Sequence, residues 1–290
     1  MKLMRVGPIG SEKPAVALDA ATALDLSPVM PDDDTLLSAE GRDLARGALE
    51  DMSRYRHMDL ESERIGPPLA RPGKVVCVGL NYRRHAAEAG LAVPTEPVLF
   101  LKAADTVVGP NDAVTIPKGS VKTDYEVELA VIIGRTARYL DSPVDSRNYI
   151  LGYAISNDVS EREFQLERGG QWDKGKNCET FNPLGPWIAT RDEVHDVQDL
   201  FMSLTVDGQQ RQLSSTGDMV FSVDHIVWYV SQFMTLRPGD VINTGTPEGV
   251  GMGFAPARYL RPGQTVEVVI QGLGTQKQRF EEFAPGGRDE

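Results

Sequence analysis

Short apolar runs separated by glycine and proline recur along most of the chain, at 75–78, 98–101, 127–133, 149–156, 204–206, 241–244 and 266–270. Runs of this length, rich in β-branched residues and bounded by turn formers, predict strands, and the fold class they imply is mainly β with some α. One stretch breaks the pattern. Ser222 stands as an N-cap, Ile226, Val230, Phe233 and Met234 recur at helical spacing, and Arg237-Pro238-Gly239 supplies a stop. A helix is expected between them, with His225 in its first turn. That histidine, like His57 and His195, reads as a surface or packing residue.

The first seventy residues look different. They hold short alternating segments such as 15–18, an acidic turn at Pro31-Asp32-Asp33-Asp34 and a charged helical stretch over 38–54. Chain breakers then cluster at Ile65-Gly66-Pro67-Pro68 and Arg71-Pro72-Gly73. The expected organisation is a small N-terminal domain over 1–70, a main domain over 71–283 and a tail over 284–290, with 286–290 fraying. No internal repeat or low-complexity segment is apparent.

Composition narrows the function classes. Hydrophobic residues at 41% and charged residues at 25% exclude disordered and fibrous architectures. A net charge of -12, from 42 acidic against 30 basic residues, opposes a phosphate backbone and an anionic membrane surface, so neither nucleic acid nor membrane is expected as a partner. Two cysteines, Cys77 and Cys178, are too few for a disulfide framework and fit a reducing compartment. Cys77 lies inside an apolar run and reads as core. The start has no apolar stretch long enough for a signal peptide, so a cytoplasmic protein is expected.

The strongest chemical signal is Tyr125-Glu126-Val127-Glu128-Leu129. Side chains alternate along a strand, so Glu126 and Glu128 share one face while Tyr125, Val127, Leu129 and Val131 take the other. Two readings stay open at this point: a solvated edge strand carrying two harmless glutamates, or a pair of carboxylates neutralised by a hard cation such as magnesium or manganese. Asp158 ends the apolar run at 149–156 and adds a third carboxylate, although a helix N-cap is a common job for Asp at such a junction. His85 and Glu88 stand three apart in a helical-looking stretch, where they can hydrogen-bond as a general base pair or simply face water. The glycine-rich loop at 244–253 lacks the Gly-Lys-Ser/Thr of a phosphate-binding loop, but its amides can hold a carboxylate.

Taken together these motifs resemble the fumarylacetoacetate hydrolase superfamily. The likeness runs from about Gly73 to about Gly272 through Gly79-Leu80-Asn81-Tyr82, Leu99-Phe100-Leu101-Lys102, the Glu-x-Glu strand, Asn157-Asp158-Val159-Ser160-Glu161-Arg162, Gly175-Lys176 and Thr244-Gly245-Thr246-Pro247. It implies a mixed β-roll, usually a homodimer, with Mg2+ (Mn2+ as the alternative) on Glu126, Glu128 and Asp158. It assigns water activation to His85 and Glu88, charge stabilisation to Lys176, and substrate contacts to Arg162, Gln165 and Thr246. Glu161, Glu163 and Asn177 depart from residues frequent in the family, which puts the distal pocket in doubt. The activity implied is cleavage of a small 2,4-dioxo acid, an acylpyruvate or a 2,4-dioxo-3-deoxy sugar acid, to pyruvate and a second acid. Oxaloacetate decarboxylation and hydroxymuconate-type isomerisation use the same metal–enolate site and remain alternatives, as does a non-catalytic binder of a 2-oxo acid.

Overall fold

The strand Val127–Ile133 is buried along its whole length and explains most of the architecture. Its residues alternate between two cores: Val127, Leu129, Val131 and Ile133 enter one, Ala130 and Ile132 the other. In this computed structural model, which describes residues 1–285, the strand is therefore central and not a solvated edge. The segment 286–290, expected to fray, lies outside the described residues.

Val127–Ile133 pairs antiparallel with Ile150–Asn157 on one side and with Val241–Asn243 on the other. Beyond Val241–Asn243 come Val75–Gly79, in parallel, and Val98–Lys102. On the other flank Ile150–Asn157 pairs with Asn182–Thr190, which in turn pairs with Lys2–Val6. Lys13–Ala17, Thr22–Asp25 and His57–Asp59 complete this 12-stranded sheet, with Ile65–Gly66 and Val107–Val108 attached off its main path. A second, 5-stranded sheet runs in the order Gln209–Ser215, Phe201–Val206, Thr265–Ile270, Gly274–Glu282, Val114–Ile116.

The first core joins the two sheets, packing Leu129 and Val131 with Met202, Leu204, Val268 and Phe280. Burying each such side chain stabilises the fold by about 1.5–3 kcal/mol, which is why the two sheets stay together. The second core covers the far face of the large sheet, where Cys77, Ala130 and Ile132 meet Leu3, Leu24 and the helix residues Ala45 and Ala48. The fold is thus mainly β, with open sheets and a few helices. Sheet and core both run through the expected boundary near residue 70, because Lys2–Val6 pairs with Asn182–Thr190.

The helices predicted over 38–54 and from Ser222 both form, and both are shorter than their spacing suggested. Ser38 caps Ala39–Glu50 by accepting from Gly41 N at 2.9 Å, and a separate short turn follows at Met52–Arg54. Ser222 caps Val223–Ser231 by accepting from His225 N at 3.3 Å. That helix stops before Phe233 and Met234, correcting the expected run to Arg237. Gln232 anchors the exit by donating its amide to Leu140 O at 3.0 Å, and Phe233 is left 64% exposed. His225 packs against Phe221, Trp228 and Tyr229, in keeping with a packing role.

Candidate active site and metal centre

Strand pairing assembles the carboxylates. Val127 lies opposite Asn157 in the antiparallel register, so the residue before one strand and the residue after the other emerge together. Asp158 N donates to Glu126 O at 3.0 Å, and Glu126 N donates to Asn157 Oδ1 at 3.1 Å, which locks that junction. Oxygens of Glu126, Glu128 and Asp158 all lie within 4.8 Å of one another, and all three residues are buried.

Cations are unevenly shared among them. Lys102 Nζ donates to Asp158 Oδ1 at 2.5 Å, and Lys176 Nζ donates to Asp158 Oδ2 and Glu126 Oε2 at 2.8 Å each. Arg162 places Nη2 2.7 Å from Glu126 Oε1 and Nε 2.8 Å from Asp124 Oδ2. Glu128 accepts from Gly245 N at 2.8 Å and forms no ion pair with any described residue. The protonation energetics follow this distribution. Burial pushes Glu126 up, but Lys176 and Arg162 outweigh it and hold the group down at about 2. Burial, then the charges of Asp158 and Glu126, pushes Glu128 well above the usual carboxylate range. Burial opposes the Lys176 charge, yet Asp158 and Glu126 raise its pKa. A compact cluster of hard oxygens with one carboxylate short of positive charge fits a divalent cation of the magnesium or manganese kind.

Glu126, Glu128 and Lys176 open onto a cavity of about 320 Å3. His85, Glu88, Arg162, Gln165 and Thr246 line it as well, while Asp158 lies beneath its surface. His85 and Glu88 sit on the short helix Arg83–Glu88, with His85 Nδ1 3.2 Å from Glu88 Oε2. Arg162 Nη1 donates to Gln165 Oε1 at 3.0 Å. Thr246 Oγ1 donates to Val127 O at 3.0 Å and accepts from Gln212, so this threonine also fastens its loop to the central strand. Phe100 and Trp172 meet edge to face at 5.7 Å and form an apolar wall.

The loop at 244–253 holds carboxylates belonging to the protein itself. Gly245 N binds Glu128, Gly249 N donates to Glu88 Oε1 at 2.9 Å, and Gly251 N donates to Asp124 Oδ1 at 2.7 Å. Gly245 has φ 98, and a Cβ there would stand 2.8 Å from that of Asn81, so only glycine brings its amide this close. Lys102, Asp124, Gln212 and Trp172 carry structural weight that sequence reasoning missed. Lys102 stands within a motif quoted for the resemblance, and Asp124 precedes the Glu-x-Glu pattern. Gln212 and Trp172 offer no local signal. Cys178 is partly buried, and burial pushes its thiol up to about 11, which keeps it in the protonated, weakly nucleophilic form near neutral pH.

The chain belongs to the fumarylacetoacetate hydrolase family: residues 74–281 match the family's fumarylacetoacetate (FAA) hydrolase C-terminal domain. A Burkholderia ambifaria protein named only as a hydrolase is 51% identical over 289 residues, 96% of this chain and 98% of its own. A fumarylacetoacetate hydrolase from Exiguobacterium antarcticum is 35% identical with a TM-score of 0.86, over 98% of this chain and 100% of its own. The maleylpyruvate hydrolase of Sphingobium sp. SYK-6, solved with manganese(II) and pyruvate, is 27% identical with a TM-score of 0.80 over the same shares, 98% and 100%. Among the described residues no helix is long and apolar enough to cross a membrane.

Proposed function

We propose that this protein hydrolyses the carbon–carbon bond of a small 2,4-dioxo acid, an acylpyruvate or a 2,4-dioxo-3-deoxy sugar acid, to pyruvate and a second acid. Glu126, Glu128 and Asp158 would hold Mg2+, with Mn2+ as the alternative. The observation that carries the reading is the opening of two groups onto one cavity: the His85–Glu88 pair and the carboxylate cluster with its lysine. The manganese and pyruvate in the maleylpyruvate hydrolase structure support it further.

When bound, the metal supplies Lewis-acid polarisation of the substrate's 2-oxo acid end. The protein's own side chains account for the rest. Glu88 accepts from His85 Nδ1 and so leaves Nε2 free to take a proton from water. The water oxygen then bonds to C4 of the substrate. Cleavage of the C3–C4 bond sends its electron pair to C3, giving the enolate of pyruvate, while C4 leaves as the carboxyl group of the second acid. Lys176, a buried ammonium beside Glu126 and Asp158, stabilises the charge that develops. The proton held by His85 returns to C3 and completes pyruvate. Arg162 and Gln165 face the cavity where the variable end of the substrate would lie.

The test is pyruvate release from a panel of acylpyruvates and 2,4-dioxo-3-deoxy sugar acids, with Mg2+ or with EDTA, for wild type and Glu128→Ala. Metal-dependent release that the substitution abolishes is expected. If the magnesium-loaded wild type releases nothing from the whole panel, hydrolysis is wrong, and oxaloacetate decarboxylation and diacid isomerisation become the reactions to assay.

A further inference from the structure

A second cavity, of about 280 Å3, shares no lining residue with the first. Arg211, Arg258 and Arg261 line it together with Tyr125, Tyr259 and Gln264. In a chain of net charge -12, three arginines around one hollow call for counter-charge. Among the described residues none of the three forms an ion pair with a carboxylate. Arg211 Nη2 donates to Gln209 Oε1 at 3.1 Å, and Arg261 Nη1 donates to the backbone oxygens of Val121 and Leu260 at 3.0 and 2.8 Å. Arg211 and Arg258 both lie against the ring of Phe254, at 5.7 and 4.9 Å from its centroid. Two like charges gathered on one ring are stabilised by an anion shared between them.

The second observation is independent of the arginines. Tyr125 is 1% exposed, and its hydroxyl has no hydrogen-bond partner although it is buried. A buried donor left unmatched is destabilising, so its presence in the wall of a cationic hollow points to an acceptor supplied from outside the chain.

We propose that this cavity is a binding site for a small oxyanion, a phosphate or carboxylate group held by Arg211, Arg258 and Arg261 and receiving a hydrogen bond from Tyr125. Guanidinium forks match the paired oxygens of either group, and the volume suits a compact metabolite but not a polymer. The site adjoins the active-site loop: Arg258 N donates to Gly251 O at 2.8 Å, and Gly251 N holds Asp124, the partner of Arg162. The proposal is independent of the reaction proposed for the first cavity, because it is read by binding alone.

The experiment is calorimetric titration of the full chain with inorganic phosphate and, separately, with succinate. Saturable one-to-one binding of at least one is expected, with phosphate alone, succinate alone or both identifying the preferred oxyanion. Arg258→Ala should weaken it by about tenfold or more, and Tyr125→Phe, an isosteric change, by about fivefold, the worth of one hydrogen bond. Binding should persist in Glu128→Ala, which alters only the first cavity. The proposal is overturned if neither anion saturates the wild type below about 20 mM. It is equally overturned if Arg258→Ala binds as tightly as wild type, or if Glu128→Ala abolishes binding and so places the anion among the catalytic groups.

Discussion

The Lys102 ammonium lies 2.5 Å from Oδ1 of Asp158, with both side chains wholly withdrawn from water. Lys176 takes the other oxygen of the same carboxylate, so two lysines from distant strands and turns fix its plane. Breaking a buried ion pair from one side leaves an uncompensated charge, which costs about 3–5 kcal/mol. Lys102→Met is expected to destabilise the protein toward the low end of that range, because Lys176 still holds Oδ2. Urea unfolding of wild type and variant measures it, and an unchanged midpoint would show that Lys102 does not stabilise Asp158.

Glu128 makes stability depend on pH in a direction opposite to Glu126. Its pKa in the folded chain lies above its ordinary value of 4.5, so its stabilising contribution is complete below that value and is lost as pH rises through the raised one. Glu126, held at about 2, contributes stability above 4.5 that is lost as pH falls toward 2. In EDTA the melting temperature should therefore decline as pH climbs from about 4.5 through the raised pKa of Glu128. On the proposed metal site, magnesium should restore it increasingly with pH, since an ion held by Glu128 would compete with the proton there. Glu128→Gln should flatten the decline and remove the magnesium response. If magnesium raises the melting temperature of Glu128→Gln as much as that of wild type, Glu128 is not a metal ligand.

The central strands were legible because both of their faces are buried, which makes them short, nearly continuous apolar runs rich in β-branched residues, as in Val127–Ile133 and Val75–Gly79. Three other strands hid for physical reasons. Asn182–Thr190 contains Pro183, Gly185 and Pro186, and the register shift opposite it, between Tyr153 and Ile155, absorbs the missing ladder bonds. Gln276 Nε2 then donates to Ile155 O and Gly185 O at 2.8 and 2.9 Å, satisfying carbonyls that the interrupted ladder leaves free. Gln209–Ser215 and Gly274–Glu282 bury glutamines, Gln212, Gln276 and Gln278, where alternation would show a hydrophobic residue. Glu-x-Glu and Asp158 were legible as candidates, but their convergence is a fact of strand register, and so is the meeting of Lys102 with Asp158.

The His85–Glu88 pair yields a prediction about rate and not about metal. Glu88 accepts from both His85 and the amide of Gly249, so it sets the imidazole tautomer while its own position is fixed by the loop. His85→Ala should lower the turnover of a cleaved acylpyruvate by about 10²–10⁴-fold, the usual range for a general base. Glu88→Gln keeps an acceptor for Gly249 and loses the charge that stabilises the imidazolium, so a smaller loss is expected. Magnesium affinity should match wild type in both variants. Should His85→Ala turn over at the wild-type rate, another group activates the water.

Gly175 gives a test of whether Lys176 must stand where it does. A Cβ on Gly175 would lie 2.3 Å from Glu161 O and 2.6 Å from the Cβ of Gln165. Neither neighbour yields cheaply, since Glu161 belongs to the short strand Ser160–Glu161 and Gln165 to the helix Arg162–Leu166. The turn Asp173–Lys176 must therefore move, and it carries the ammonium away from its 2.8 Å contacts with Glu126 and Asp158. Misplacing a charge-stabilising group by about 1 Å costs on the order of 10²-fold in rate. Gly175→Ala should approach Lys176→Met in turnover while keeping far more of the buried charge balance, visible as a higher melting temperature than that of Lys176→Met. If Gly175→Ala turns over at the wild-type rate while Lys176→Met does not, the turn absorbs the methyl group elsewhere and the position of Lys176 is less constrained than its contacts imply.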